Sequence, residues 1–357
     1  MSTIVLSAGG TGGHLFPAQA LAAELSARGR RIVVMTDARG KNYNAAFPGA
    51  DIETVPSGSF ANRSQMLTAP FAIVGGIFVA LRKLLHLKPA AVIGFGGYPS
   101  LPVMIAARIG GFPTAIHEQN AVLGRVNRLI ASGMRAVAAS FPFARFVPKG
   151  NIVYTGNPVR PAAAALAGSL YNAPEENGPI HLLIFGGSQG ARALSELLPA
   201  AIAMLPANLR ARLDIVQQCR PEDIESVRAA YKGVKVELAT FFNDLPERMA
   251  RAHLVISRSG ASTISELTVI GRPAILIPYP FATDDHQTAN ADVLANAGAA
   301  WRISQSELTA EKLAKLLDDI LSSPSELAKR AAAAHALGKP DAAERLADLV
   351  EKIGGAA

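Results

Sequence analysis

Residues able to do chemistry gather at four turns of the chain. The first reads Gly9-Gly10-Thr11-Gly12-Gly13-His14, where glycines let backbone approach a ligand and the helix that follows offers unpaired N–H groups. His14 at its mouth can exchange a proton near neutral pH, which suits a general base; a ring that caps the helix would sit in the same place. The second, Gly186-Gly187-Ser188-Gln189-Gly190-Ala191-Arg192, sets successive amides and the Ser188 hydroxyl at a helix start, a seat for phosphate oxygens or simply a tight turn. The third runs Ser257-Arg258-Ser259-Gly260-Ala261-Ser262-Thr263, with Glu266 about one turn into a helix. That carboxylate could accept both hydroxyls of a ribose, or only balance the helix dipole. In the fourth, Pro278-Tyr279-Pro280-Phe281 leads to His286, Gln287 and Asn290, whose polar groups could grip sugar hydroxyls or lie in a solvated loop.

Two absences narrow the chemistry. No Asp-x-Asp occurs, and the seven histidines show no His-Glu-x-x-His or similar ligand spacing. A dedicated metal site is therefore not expected, no cofactor is required, and protein groups are expected to meet the charge of a departing phosphate.

All four turns follow short apolar runs, and those runs alternate with Ala- and Leu-rich stretches of helical period, the signature of a parallel sheet with crossover helices. The expected strands cover 4–7, 31–35, 91–95, 114–117, 136–140 and 152–155, then 181–185, 213–217, 234–239, 254–257 and 274–278. Both halves open alike, with a buried strand feeding a glycine turn and a helix, so the fold expected is α/β with two doubly wound, Rossmann-like domains and a cleft between them. Gly156-Asn157-Pro158-Val159-Arg160-Pro161 marks the boundary, because two prolines oppose continuation of either element. The domains expected are 1–158 and 159–340, with a last helix over 341–357 packing back on the first.

At 357 residues two domains fit better than one or four. Half the residues are hydrophobic, yet no run reaches the roughly 18 to 20 residues of a spanning helix, which argues against a multi-pass membrane protein. A net charge of +7 favours an anionic partner, while scattered bases and only 6% aromatics give no nucleic-acid stripe. A lone cysteine, Cys219, and an N-terminus that enters Ile4-Val5-Leu6 without a basic leader fit a protein kept inside the cell. One segment points outward. Phe71, Ile73, Val74, Ile77, Phe78 and Leu81, followed by Arg82 and Lys83, make an apolar stretch with a basic end, broken at Gly75-Gly76. It is expected to be too short to span and suited to lie on an anionic bilayer, with a core helix as the alternative.

Six stretches taken in order resemble the MurG-type glycosyltransferases, family 28, of GT-B fold. They are the turn ending at His14, Gly96-Gly97-Tyr98, His117-Glu118-Gln119-Asn120, Gly156-Asn157-Pro158-Val159-Arg160, the turn through Ser188, and Arg258-Ser259-Gly260-Ala261. The resemblance covers nearly the whole chain. It implies UDP-GlcNAc as donor, bound mainly by the second domain, and undecaprenyl-pyrophosphoryl-MurNAc-pentapeptide (lipid I) as acceptor, facing the first. Donor contacts implied are Thr11, Gly12, Gly13, Asn120, Arg160, Ser188, Gln189, Gly190, Arg258, Gly260, His286, Gln287 and Asn290, with Glu266 on the ribose and the backbone at Phe242 beside the uracil. Tyr98 and His117 would face the acceptor, and His14 would be the base, with Glu118 the alternative. Closure of the two domains would then assemble the site and exclude water. The implied place is the cytoplasmic face of the inner membrane, held peripherally, with cell-wall synthesis proteins as possible partners. Rival readings are a UDP-GlcNAc 2-epimerase-like enzyme and a non-catalytic sugar-nucleotide-binding subunit that anchors a partner at the membrane.

Overall fold

The computed structural model describes residues 2–9, 12–38, 46–58, 63–187 and 192–355, without the side chains of 63–68. Thr11, Ser188, Gln189 and Gly190 lie outside the described residues. Contacts divide the chain into unit 1, Met1–Arg160 with Lys339–Ala357, and unit 2, Pro161–Gly338.

Unit 1 holds a seven-stranded parallel sheet of β1 (Thr3–Ser7), β2 (Arg31–Thr36), β3 (Asp51–Thr54), β4 (Ala91–Gly94), β5 (Thr114–Glu118), β6 (Ala136–Ala139) and β7 (Ile152–Tyr154), in the order β3-β2-β1-β4-β5-β6-β7. Unit 2 holds β8 (Ile180–Phe185), β9 (Leu213–Gln218), β10 (Lys235–Ala239), β11 (Leu254–Ser257), β12 (Ala274–Leu276) and β13 (Ala300–Arg302), ordered β10-β9-β8-β11-β12-β13. Both are doubly wound. Central strands such as Ile32-Val33-Val34-Met35 are apolar, mostly β-branched and buried on both faces, as a parallel sheet covered by helices requires. Ile4, Leu6, Ile32 and Val34 join one core of unit 1; Val5, Val33 and Met35 join the other, following the two-residue period of a strand. β3 and β13, absent from the sequence expectation, are edge strands of four and three residues whose side chains are mostly not buried. They lack the apolar run by which a strand announces itself.

The final helix, Ala342–Ile353, lies against the first, Gly12–Ala27, and buries Leu346, Ala347 and Val350 in the unit 1 core. Arg28 bonds Asp348 and Glu351, and Arg30 bonds Glu351, around the rim. Burial supplies most of that stability, since exposed ion pairs contribute at most about 1 kcal/mol each.

The outward-pointing segment differs from its expectation. It belongs to a 25-residue helix, Arg63–Leu87, that runs unbroken through Gly75-Gly76, and its 19 residues Ala69–Leu87, with mean hydropathy 1.5, are by length and composition enough to cross a membrane. The expected break fails because Gly76 faces inward. It is buried beside Pro56 and Pro102, where a methyl group would collide with the Pro56 carbonyl oxygen. The helix packs there on Ser100–Ile109. Ala69, Ala80 and Leu84 are buried, with Ile73, Ile77 and Leu81 packed against the core, while Phe71, Val74, Phe78 and Arg82 are exposed. Lys83 pairs with Glu53. The eight residues expected at a bilayer thus divide between an inner and an outer face.

The two adjacent glycines should respond oppositely to substitution. A methyl group at Gly75 meets nothing within 4 Å, so Gly75→Ala should stabilise the protein by about 0.5–1 kcal/mol through helix propensity. Gly76→Ala should destabilise it by about 1–3 kcal/mol. Urea midpoints of the two variants check this, and a stable Gly76→Ala would mean the helix does not pack as described.

Candidate active site

In an open parallel sheet the crevice for a ligand lies where neighbouring crossovers leave in opposite directions. In unit 1 that place is between β1 and β4, whose last residues, Ser7 and Gly94, are partners across the ladder. The helix after β1 carries His14 there. Its ring rests on Gly96 and Gly97, both at positive φ (87° and 74°), and a Cβ on Gly96 would lie 3.3 Å from the ring carbon Cε1. Glycine is required here both for conformation and for room.

His14 Nδ1 lies 3.1 Å from Gln119 Oε1. The Gln119 Nε2 amide donates to the Phe95 carbonyl at 3.0 Å, lies 3.1 Å from His117 Nδ1 and reaches the His117 carbonyl at 3.3 Å. His117 Nε2 in turn lies 3.1 Å from the Gly156 carbonyl. His117 is fully buried. Burial pushes its pKa down to about 4, with the bond to Gly156 opposing and nearby His14 adding to the shift. A direct contact with an acceptor, expected from the resemblance, is therefore not what the geometry offers: the ring is an inner link of a hydrogen-bonded chain.

Glu118 is likewise buried, with its oxygens occupied. Oε1 accepts from the Asn120 backbone N–H (3.1 Å) and Asn120 Nδ2 (3.2 Å); Oε2 accepts from Gly124 N–H and Asn127 Nδ2, both at 2.8 Å. A carboxylate with four donors ties down the 118–127 loop and has little left for a substrate proton. Asn120, Arg160 and Tyr98 line the same end of unit 1 without full burial, the Arg160 guanidinium standing 5.6 Å from the Phe16 ring centre. Gly12 and Gly13 open the first helix, Gly13 exposed.

Unit 2 repeats the arrangement between β8 and β11, where Phe185 pairs with Ser257. Helix Ala261–Ile270 starts there at Gly260, whose missing Cβ faces open space and which provides no side-chain cap. Its first amides have no acceptor within the helix itself. Glu266 is buried one turn in. Gln287 Oε1 accepts from the backbone N–H of Tyr279 (3.0 Å) and Ser259 (3.3 Å), and Asn290 Nδ2 donates to the Ser259 carbonyl (3.1 Å). His286 Nδ1–H donates to the Thr283 carbonyl at 2.8 Å.

Two further residues expected at the donor have side chains that are buried. Arg258 is buried with its guanidinium on the Ile277 and Pro278 carbonyls (3.1 Å each) and Gln305 Oε1 (2.6 Å), so it holds the loop after β12. Phe242 is buried, with Arg248 stacked 4.4 Å from its ring centre. Among the described residues no three His, Cys, Asp or Glu side chains are grouped to hold a metal ion. A cavity of about 620 Å³ in unit 2 is lined by His181, Asp214 and Lys235 at the starts of β8–β10, away from the strand ends that carry these groups.

Family models match at both ends of the chain: the glycosyltransferase family 28 N-terminal domain over residues 4–139 and the C-terminal domain over 181–346. The chain belongs to glycosyltransferase family 28. Among family members, it is 52% identical over 354 residues to the UDP-N-acetylglucosamine--N-acetylmuramyl-(pentapeptide) pyrophosphoryl-undecaprenol N-acetylglucosamine transferase of Paramagnetospirillum magneticum, covering 97% of this chain and 95% of that protein. The transferase of the same name from Rhodospirillum centenum is 52% identical over 356 residues, with coverages of 98% and 94%. The crystal structure of Acinetobacter baumannii MurG superposes with a TM-score of 0.83 at 33% identity, covering 99% of this chain and all of that one. Neisseria meningitidis UDP-GlcNAc 2-epimerase, bound to UDP-GlcNAc, superposes at 0.68 with 14% identity over 99% and 100%, a likeness of fold alone. This family 28 chain therefore has the GT-B architecture of two Rossmann-like α/β domains, each with its crevice at the strand ends.

Gln119 is the site residue that sequence reasoning passed over. It lies in the His117-Glu118-Gln119-Asn120 stretch, but nothing in the residue type distinguishes a bridging amide from a solvated one.

Burial of His117 has a consequence for acid stability. Because its folded pKa of about 4 lies below the unfolded value near 6.5, only the unfolded chain takes the proton between these values. Stability is then full above pH 6.5 and falls by roughly 3 kcal/mol as pH drops to 4. His253, also pushed to about 4 by burial, adds to the slope in unit 2. His117→Phe should be less stable at pH 7 and show a shallower dependence of urea midpoint on pH than the parent; equal slopes would refute the buried neutral ring.

Proposed function

We propose that this chain transfers GlcNAc from UDP-GlcNAc to the MurNAc 4-hydroxyl of lipid I, giving lipid II and UDP, with inversion at the anomeric carbon. It is a hexosyltransferase of peptidoglycan synthesis. Its full-length likeness to transferases of that name carries the reading, and it favours the transferase over an epimerase or a binding subunit.

In the proposed step the acceptor O4 bonds to C1 of GlcNAc while the bond from C1 to the β-phosphate oxygen breaks. The O4 proton passes to His14, and UDP leaves with the bonding pair as a diphosphate anion. Charge grows on that diphosphate through an oxocarbenium-like transition state, and the uncapped amides at Gly260–Thr263, with Ser188 and Arg160, are suited to receive it. Glu266 is assigned to the ribose hydroxyls. Gln287, whose oxygen is held by two backbone amides, keeps its Nε2–H groups for the sugar. His14 is preferred to Glu118 because its ring stands at the β1–β4 crevice, whereas Glu118 is spent on four donors. Arg258 acts by positioning the loop that carries Tyr279.

The enzyme is membrane-associated, as its relatives' lipid-linked substrate requires. The finer reading places it on the cytoplasmic face of the inner membrane, held peripherally by the stripe of Phe71, Val74 and Phe78 with Arg82 on its flank. Spacing of three and four residues keeps that stripe on one helix face.

Incubation with UDP-GlcNAc and a lipid I analogue should release UDP and form the disaccharide; free GlcNAc or a 2-epimer without disaccharide would overturn the transfer. His14→Ala should lower kcat by about 10²–10⁴-fold, the usual worth of a general base, and leave donor affinity near its original value. Glu266→Gln should instead raise the Kd for UDP-GlcNAc about tenfold, the loss of one charge-assisted hydrogen bond. In sedimentation with phosphatidylglycerol-containing vesicles, Phe71→Glu/Phe78→Glu should bind at least tenfold less than the parent, since two buried aromatic side chains are lost. Equal sedimentation would move the membrane face elsewhere.

A further inference from the structure

We infer that Gln119 relays the tautomer of His117 to His14: the Gly156 carbonyl holds Nε2–H on His117, and the bridging amide then holds Nδ1–H on His14 and so leaves the basic lone pair of His14 on Nε2. Gln119 is thus a positioning residue. The catalytic consequence rests on His14 being the base; the tautomers do not.

Proton placement follows from acceptors whose chemistry has no alternative. His117 Nε2 faces the Gly156 carbonyl at 3.1 Å and Ser140 Oγ at 3.5 Å. A carbonyl only accepts, and the Ser140 hydroxyl already gives its proton to the Glu118 carbonyl at 2.9 Å. His117 Nε2 must therefore carry hydrogen. As burial keeps this ring neutral down to about pH 4, its Nδ1 is a bare acceptor and requires a donor from Gln119.

Two backbone carbonyls decide which way the Gln119 amide points. Its nitrogen lies 3.0 Å from the Phe95 oxygen and 3.3 Å from the His117 oxygen. Flipping the amide would set its oxygen against both, and against the lone pair of His117 Nδ1 as well. The oxygen is accordingly left toward His14 Nδ1 at 3.1 Å, and only an N–H can satisfy it. Each link fixes the next from Gly156 through His117 and Gln119 to His14, and neutral His14 keeps its lone pair on the nitrogen away from Gln119.

Nitrogen-15 NMR of the histidine-labelled full chain reads the tautomers directly. At pH 8 the His14 ring should show the shifts of an Nδ1–H imidazole and the His117 ring those of an Nε2–H imidazole, with His117 unchanged on titration to pH 5. The same tautomer on both rings, or Nε2–H on His14, would overturn the inference whatever the activity. In Gln119→Leu the His14 resonances should move toward the mixed tautomer pattern of free histidine. The kcat should fall about 10²-fold, the lower end of what a general base contributes, with the KM for UDP-GlcNAc changed less than about twofold, as expected for a group that acts only on the base. Should Gln119→Leu fold poorly, Gln119→Glu serves in its place. Its carboxylate sets an acceptor against His117 Nδ1, so His117, whose Nε2–H stays on the Gly156 carbonyl, should take a second proton there and show imidazolium shifts at a pH where the parent ring is neutral. Tautomers fixed in the parent and released in Gln119→Leu at unchanged kcat would refute His14 as the base and the catalytic part of this inference with it. A pattern in Gln119→Leu identical to the parent's would refute the positioning role itself.

Discussion

Reversal of strand order at the middle of each sheet is the constraint on which the rest of this molecule depends. Because β1 sends its crossover one way and β4 the other, their carboxyl ends open a crevice that no helix fills, and the same happens between β8 and β11. Strands buried on both faces leave little surface for chemistry along their length. Only where a strand stops can backbone and side chains meet a ligand, and it is there that Gly96-Gly97, the His14 helix and the Gly260 helix start are found. The elements are apolar and interchangeable in character; their endings are not.

Around the unit 1 crevice, polar groups are buried in a way that would be costly if any were left unpaired. Glu118 brings negative charge into the interior and is met by four N–H donors from its own loop, including two on Asn120. Next to it in sequence, strand alternation sends Glu118 and its neighbours His117 and Gln119 to opposite sides of the sheet end. One side becomes a carboxylate knot that shapes the 118–127 loop. The other becomes the amide and imidazole chain that ends at His14. Four consecutive residues, His117 to Asn120, thus build the loop and hold the His14 ring while only one of them, Asn120, lacks full burial.

How far these features could be read in advance depends on what each owes to local sequence. Central strands and glycine turns were legible because their signals are local: an apolar β-branched run, then glycine, then a helical period. Edge strands β3 and β13 were not, for Asp51-Ile52-Glu53-Thr54 and Ala300-Trp301-Arg302 carry no buried run and owe their form to a neighbour. His14 could be singled out by its place after a glycine turn. The resemblance sets His117 and Arg258 at ligands, and residue type gives no depth by which to question that. A histidine inside β5 and an arginine after β11 look like binding groups until burial shows the first neutral and the second spent on backbone carbonyls. Gln119 depends on partners 24 and 105 residues away, a distance at which spacing says nothing.

The 63–87 helix shows the same limit from the other side. Apolar composition and a glycine pair suggested a short, interrupted segment, but the outcome turned on which way each glycine faces. Gly75 looks outward among Phe71, Val74 and Phe78, and Gly76 looks inward at Pro56 and Pro102. A helix that must pack closely on Ser100–Ile109 needs a missing side chain on its inner face, and there the loss of helix propensity is offset by contact. On its outer face apolar side chains gain nothing from the protein. Exposed aromatic groups in a row are unfavourable in water, and their place beside Arg82 is what the proposed contact with an anionic lipid surface would use. The site and the proposed membrane stripe would then answer one requirement: a soluble nucleotide sugar and a membrane-bound alcohol must both reach the same chain.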